Sequence, residues 1–406
     1  MLIYDETFYE EILKKHLADS TIRVRSIHQR PATAKGDNFL SEMLRVNLKF
    51  SRDSITREAV EDQATETRSF IVKREPVESH ELLDLVRAQQ LFTVEFRVFQ
   101  HVLPRIEKTL GVKLGPKFVY GTDTPPRVVI MEDLSPKGFI VKDRKRGLSA
   151  AHATLAIRNL ASFHAGSVAI LEEDPEFAKS FRQGIFNAKT HTNFYVLAKN
   201  CLAQLCDDAT TWGHRESASA AAKMRRTIEY VEKRVQQVYE YEEDEFCVLN
   251  HGDAWVNNML FTEDDGGNPL EMVFVDYQMV GFSSPAVDLL YFLSINPAAD
   301  VRGEGEERLL EDYLETLTMT MKKLRCKISP PTMRQLKEAM YRRRVYAVMS
   351  GLFLLPRMML DGVETESMDE LLEHGTTRFN AFCKPGIIRL MKLMLPLFDE
   401  RGYLDP

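Results

Sequence analysis

Two short apolar runs in the second half of the chain, Phe246-Cys247-Val248-Leu249 and Met272-Val273-Phe274-Val275, lead straight into polar residues. Runs of this length, bounded on both sides by polar residues, suit buried strands and are too short for helices. The first gives onto the loop His251-Gly252-Asp253-Ala254-Trp255-Val256-Asn257-Asn258 and the second onto Asp276. Any fold of this chain therefore has to carry a carboxylate and an amide in a loop after one short strand and a second carboxylate at the end of another.

Around these runs the pattern is helical. Ser149 is placed to cap a helix over Ala150–Leu171, residues 215–243 read as another helix rich in Arg, Lys and Glu, and helix-type spacing resumes after Pro285. The first third differs. Residues 1–20 form an amphipathic helix with Phe8, Ile12 and Leu17 on one side, then Met43–Phe50, Ser69–Lys73 and Val128–Met131 read as strands, with a helical stretch over 79–110. The strand pattern gives way at Pro136 and Gly138. This divides the chain into an N-terminal lobe of residues 1–131, a hinge of 132–138, and a helical C-terminal lobe of 139–406 that carries the polar loop. The fold class is α+β, with a small antiparallel sheet lobe and a larger, mostly helical lobe.

The formal charge of −7, with no basic block longer than Arg342-Arg343-Arg344, argues against a general nucleic-acid binder. An odd count of five cysteines without a CxxC pair argues against a disulfide framework or a zinc ribbon. The first residues carry acids where a signal peptide needs a basic and then an apolar region. The apolar stretch Val345–Leu355 is interrupted by Ser350 and Gly351 and stops at Pro356, too soon to cross a bilayer. The expectation is a reduced, cytoplasmic protein with no membrane span and no obligate protein partner.

Phosphoryl transfer needs one carboxylate to orient and deprotonate the attacking hydroxyl, and oxygen ligands to hold magnesium on the phosphates of ATP. Asp253 suits the first role; Asn258, five residues on, and Asp276, eighteen beyond that, suit the second. Taken alone, His251 and Asp253 could equally be a hydrogen-bonded loop residue and a turn former. Upstream, Gly36-Asp37-Asn38-Phe39-Leu40-Ser41 before a strand could cover phosphates or be a plain hairpin. Lys73 ends the strand Phe70-Ile71-Val72, and Glu95 lies among Leu91, Phe92, Phe96 and Phe99, where a carboxylate is costly to bury unless paired. The two form a candidate phosphate-gripping pair; the alternative is that both are solvated edge residues. Backbone groups of Glu132-Asp133-Leu134, after a buried strand, could hydrogen-bond adenine.

At these residues the chain resembles the ecdysteroid kinase-like family of insects, within the choline-kinase and aminoglycoside-phosphotransferase branch of the protein-kinase-like superfamily. The matching stretches include Gly36–Ser41, Phe70–Lys73, Glu95, Met131–Leu134, Leu160–Ala165, His251–Phe261, Val275-Asp276-Tyr277-Gln278 and Ser284–Tyr291, in family order from about residue 30 to 295. The resemblance implies a two-lobed kinase-like fold binding ATP and Mg2+ between its lobes. It implies Asp253 as catalytic base, Asn258 and Asp276 as metal ligands, and Lys73 with Glu95, aided by Asn38, Ser41, Glu132 and Leu134, as the nucleotide site. Asp288 would hold the catalytic loop by its backbone, with His251 as further support. The acceptor would be a lipophilic alcohol, either an ecdysteroid or a dietary or xenobiotic compound.

Ser284-Pro285 through Asp288 arrives only eight to twelve residues after Asp276, which leaves no room for an activation loop and argues against protein substrates. A small cationic acceptor such as choline would need converging carboxylates or an aromatic cage. The acidic runs Glu242–Glu245 and Glu304–Asp312 read as solvated faces. A non-catalytic binding protein on the same fold is a further alternative. The Met-rich stretch from Val345 to Leu360 could line an acceptor pocket or be ordinary core. His164 and Trp255 read as packing residues.

Overall fold

The computed structural model describes residues 4–32, 40–52, 65–76, 80–181, 184–187, 189–362, 364, 366 and 368–406. The chain separates into two compact units, Met1–Gln100 with Pro116–Phe139, and His101–Gly115 with Ile140–Pro406.

The first unit contains α1 (Glu6–Leu17), β1 (Ile22–Pro31), β2 (Glu42–Arg52), β3 (Thr65–Arg74), α2 (His80–Ala88), α3 (Leu91–Arg97), β4 (Phe118–Thr122) and β5 (Val128–Glu132). The sheet order is β1-β2-β3-β5-β4, antiparallel throughout. Period-two alternation turns Val46, Leu48 and Phe50 of β2 to one face, and the pairings Val46 with Phe70 and Val72 with Ile130 extend that face across the sheet. Tyr9, Ile12 and Leu13 of α1 complete this core, and Phe8 and Leu17 pack at its border. Asp5 caps α1 by accepting from the Phe8 N–H.

β1 and β4 are absent from the sequence reading for a common reason. Both are edge strands. In β1 only Ile22 and Val24 are buried; Ile27 packs at the border of the core, and most of the remaining register is Arg, Ser, His and Gln. The helical stretch 79–110 is interrupted: Gln90 takes a left-handed φ of +57° between α2 and α3, and a π-helical turn, Val98–Val102, leads into α4 (Leu103–Leu110) in the second unit.

The second unit continues with β6 (Ile140–Val141), α5 (Ala150–Glu173), α6 (Thr192–Ala209), α7 (Arg215–Arg225), α8 (Val231–Gln236), β7 (Val248–Asn250), β8 (Met259–Glu263), β9 (Pro269–Phe274), β10 (Gly281–Ser283), α9 (Ala286–Ile295) and α10 (Glu304–Leu324). Two small antiparallel sheets form, β6-β8-β9 and β10-β7. Helix α5, capped by Ser149, packs on α10, β7 and β9. Two polar pins fix its register: Asn159 Nδ2 donates to the Met272 carbonyl at 2.7 Å, and Ser167 Oγ accepts from the Leu249 N–H at 2.9 Å. One apolar helix thus holds both short strands that lead into the polar loops.

Two expectations need correction. Residues 215–243 are not one helix, because a 3-10 turn at Ile228–Tyr230 separates α7 from α8. The acidic runs are not wholly solvated. Glu245 is buried against Arg343 at 2.7 Å and Arg342 at 3.1 Å, and Glu306 against Arg401 at 2.6 Å and Arg302 at 3.4 Å. Each run contributes one carboxylate to a pair of arginines, which a charge count cannot reveal. Most of the Val345–Leu360 stretch is core, with Tyr346, Met349, Leu352 and Phe353 buried. No helix among the described residues is long and apolar enough to cross a membrane.

Candidate active site

Strand β7 stops at Asn250, and the chain turns through Gly252 at φ +81°. A Cβ there would lie 2.2 Å from the Met279 carbonyl oxygen, so the turn needs glycine. The turn is fastened from below by Asp288 in the first turn of α9, a fully buried carboxylate. Its Oδ2 accepts from the His251 N–H at 2.5 Å and its Oδ1 from the Gly252 N–H at 2.8 Å. His164 Nε2 on α5 also donates to Oδ2, at 3.0 Å, while its Nδ1 accepts from the Tyr313 hydroxyl on α10 at 2.8 Å. A carboxylate only accepts, so these contacts fix the imidazole tautomer. A buried charge with this many donors is compensated rather than stranded.

On this base sits the half-buried Asp253. Asn258 Nδ2 donates to its carbonyl at 3.0 Å and to Oδ2 at 2.8 Å, and the Tyr291 hydroxyl donates to Oδ1 at 2.6 Å. The Val275 N–H donates to the Asn258 carbonyl at 3.0 Å, and the Val275 carbonyl accepts from His251 Nε2 at 3.2 Å. Both backbone groups of the residue before Asp276 are therefore tied to the Asp253 loop. Asp276 itself has φ +65° and ψ +61°, a left-handed conformation that a non-glycine residue adopts at some cost. The structure thus gathers Asp253, Asn258, Asp276, His251 and Asp288 in one constellation within the second unit. His251 is fully buried, and that burial holds its imidazole below the usual histidine range despite the pull of Asp288 and Asp276.

In the first unit, Lys73 at the end of β3 meets Glu95 of α3 at 2.6 Å, with side chains 1% and 0% exposed. Neither is a solvated edge residue. Ser41 directly precedes β2 and is half-buried; Asn38 lies outside the described residues. Glu132 closes β5 with its carboxylate engaged by Lys137 at 2.5 Å and by the Lys117 N–H at 3.1 Å. Leu134 is buried, and its carbonyl accepts from the Lys137 N–H at 3.0 Å. Between them, burial alone would raise the Asp133 carboxyl, but hydrogen bonds from Ser135 and Ser69 and the charge of Arg45 bring it below its usual range.

The ecdysteroid kinase-like family profile matches residues 35–326, a span that contains every one of these side chains. The chain belongs to the ecdysteroid kinase-like family. Comparison with curated proteins returns no match. Among solved structures, amicoumacin kinase hAmiN in complex with AMP-PNP, Ca2+ and Ami is similar at a TM-score of 0.41 and 12% identity, over 99% of this chain and 96% of that one.

Two residues of this family member escaped the sequence reading. Tyr291, which touches Asp253, follows Asp288 by three positions on α9, a spacing that sets both on one helix face. That spacing was the available signal, hidden in a helix whose every residue is buried. His164 does pack in the core, but as the donor that holds Asp288. Its signal was an imidazole between Phe163 and Ala165 on a mostly apolar helix.

Proposed function

We propose that this chain is an ATP-dependent kinase of a small-molecule alcohol. The observation that carries this reading is the Asp253 carboxylate, held by Asn258 and Tyr291 on a loop that buried Asp288 fastens by its backbone. The acceptor's hydroxyl oxygen attacks the γ-phosphorus of ATP, the bond from that phosphorus to the β–γ bridging oxygen breaks, and ADP departs. The hydroxyl proton passes to Asp253. Lys73, oriented by Glu95, serves the α- and β-phosphates, Asn38 and Ser41 are assigned to them by the family resemblance alone, and backbone groups at Glu132 and Leu134 take the adenine.

Asn258 and Asp276 fit a magnesium ion. Asn258 spends its amide N–H groups on Asp253, which turns its Oδ1 away as an acceptor, and Asp276 adds a carboxylate. These are hard oxygen donors, few enough to leave coordination positions for phosphate oxygens. When bound, the ion would neutralise charge on the phosphates.

The acceptor in this reading is a lipophilic alcohol, an ecdysteroid or a xenobiotic or dietary compound. Family membership supports it, and so does the fate of the two acidic runs. Glu245 and Glu306 of those runs are engaged by arginines and not presented to an ammonium group. Turnover of labelled ATP with an ecdysteroid, with choline as competitor, tests the acceptor. Efficient use of choline with no reaction or inhibition by ecdysteroids would overturn it. For the chemistry, Asp253→Asn is expected to lower kcat by about 10²–10⁴-fold with ATP still bound. Asp276→Ala should weaken magnesium-nucleotide binding as well. Full turnover in Asp253→Asn would remove Asp253 as the base and point to a different active site.

A further inference from the structure

A carboxylate on a loop can rotate about its terminal bond, because that torsion has broad preferences. As a proton acceptor it works only when a lone pair points at the reacting hydroxyl. Asp253 is held against this rotation from two elements. Asn258, in its own loop, donates to Oδ2 at 2.8 Å, and Tyr291, on α9, donates to Oδ1 at 2.6 Å. Two donors on two different oxygens define the plane of the group, and one alone leaves a pivot.

We propose that Tyr291 is a positioning residue of the transfer reaction: its hydroxyl fixes the plane in which Asp253 meets the acceptor. This rests on the kinase reading above and names a part of the same site. Tyr291 is itself well anchored. It stands on the same helix face as Asp288, is 4% exposed, and its ring lies 6.0 Å from that of Tyr346 at an interplanar angle of 24°. Burial, then the charge of Asp253, pushes the phenol well above its ordinary range, so it remains a donor. The stacked ring needs no hydroxyl, since a phenylalanine would stack as well; the hydroxyl's contact is the carboxylate. The charge of Asp288 and the phenols of Tyr346 and Tyr239 complete the surroundings, and all three phenols stay protonated for the same reason, their burial.

Tyr291→Phe keeps the ring and removes that one contact. With Mg-ATP and an ecdysteroid, kcat should fall roughly tenfold or more, because a hydrogen bond to a charged group is worth about that. KM for ATP should stay at its wild-type value, and the thermal midpoint should drop by no more than one lost hydrogen bond costs. The decisive arm is the cycle with Asp253→Ala. If Tyr291 acts through Asp253, Tyr291→Phe should cost nothing further in that background, whereas a general structural role would lower both backgrounds equally. The cycle can be run on Mg-ATP hydrolysis by water if no ecdysteroid is turned over. A crystal structure of Tyr291→Phe, which needs no acceptor, should show the Asp253 carboxylate turned about its terminal bond. Wild-type kcat with an unturned carboxylate overturns the proposal, and so does an equal loss in both backgrounds. Full activity in Asp253→Ala removes Asp253 as the base, and with it the part of the kinase reading on which this proposal rests, an outcome distinct from either.

Discussion

The candidate site residues of the two units handle charge in opposite ways. In the first, Lys73 and Glu95 are buried in an apolar layer and meet at 2.6 Å, with Lys73 paired in register to Val129 and standing 5.9 Å from the ring of Phe92. In the second, the reactive Asp253 is half-buried, and the fully buried charge, Asp288, lies beneath it and accepts from two backbone N–H groups and an imidazole. Strand and helix register alone places the first pair. The second arrangement places a flexible loop by distributing one charge over several dipoles. A counter-charge fixes one distance, whereas dipoles from several elements fix the loop's direction, which proton transfer requires.

The largest expected effect breaks the first arrangement. Lys73→Met leaves Glu95 buried without its counter-charge, and removing one partner of a buried pair destabilises by about 3–5 kcal/mol. The double variant Lys73→Met/Glu95→Leu should recover most of that, because well-packed apolar residues often replace a buried pair at little cost. Urea unfolding measures both. ATP turnover should be lost in both, which separates stability from function. A double variant as unstable as the single one would show that the unit depends on the charges themselves.

Asp288→Asn probes the second arrangement with a smaller loss. One carboxylate oxygen becomes an N–H group facing a backbone N–H, so one buried donor is left unsatisfied, costing about 1–3 kcal/mol. The loop should loosen with it. Amide exchange at His251 and Gly252 should therefore speed up more than global unfolding accounts for. Exchange that tracks global stability alone would mean that α9 and the strands hold the loop without the carboxylate.

What the sequence revealed follows the same division. Asp253, Asn258 and Asp276 stood out as polar residues after short apolar strands, a position that turn formers also take, and the family resemblance is what singled them out. Glu95 was legible because a carboxylate in an apolar stripe demands a partner. Tyr291 and His164 were not, since periodicity reports that a residue is buried and not what its one polar atom bonds to. Edge strands such as β1 lack the alternation that marks β2, where Val46, Leu48 and Phe50 are all buried. Glu245 and Glu306 sat in acidic runs, and only long-range contacts with Arg343 and Arg401 distinguish them from their solvated neighbours.

The smallest expected effect concerns protons on the loop's support. His251 donates through Nε2 to the Val275 carbonyl and accepts at Nδ1 from the Asp253 N–H at 3.3 Å. Protonation would put a second N–H against that donor, so the network needs a neutral ring. Burial lowers the folded-state pKa below the ordinary value of 6.5, against the opposing pull of Asp288 and Asp276. As pH falls, the unfolded chain takes up this proton first. The contribution of the neutral imidazole is thus fully present above about pH 6.5 and is lost progressively below it. The difference in unfolding free energy between wild type and His251→Gln isolates this group from others titrating in the same range. It should be flat from about pH 8 to 7 and shrink from about pH 6.5 to 5.5. A difference that stays level through that window would mean that the ring is charged in the folded loop or takes its proton there at no cost. Either result would leave the tautomer, and the link it makes between Asp253 and Val275, without support.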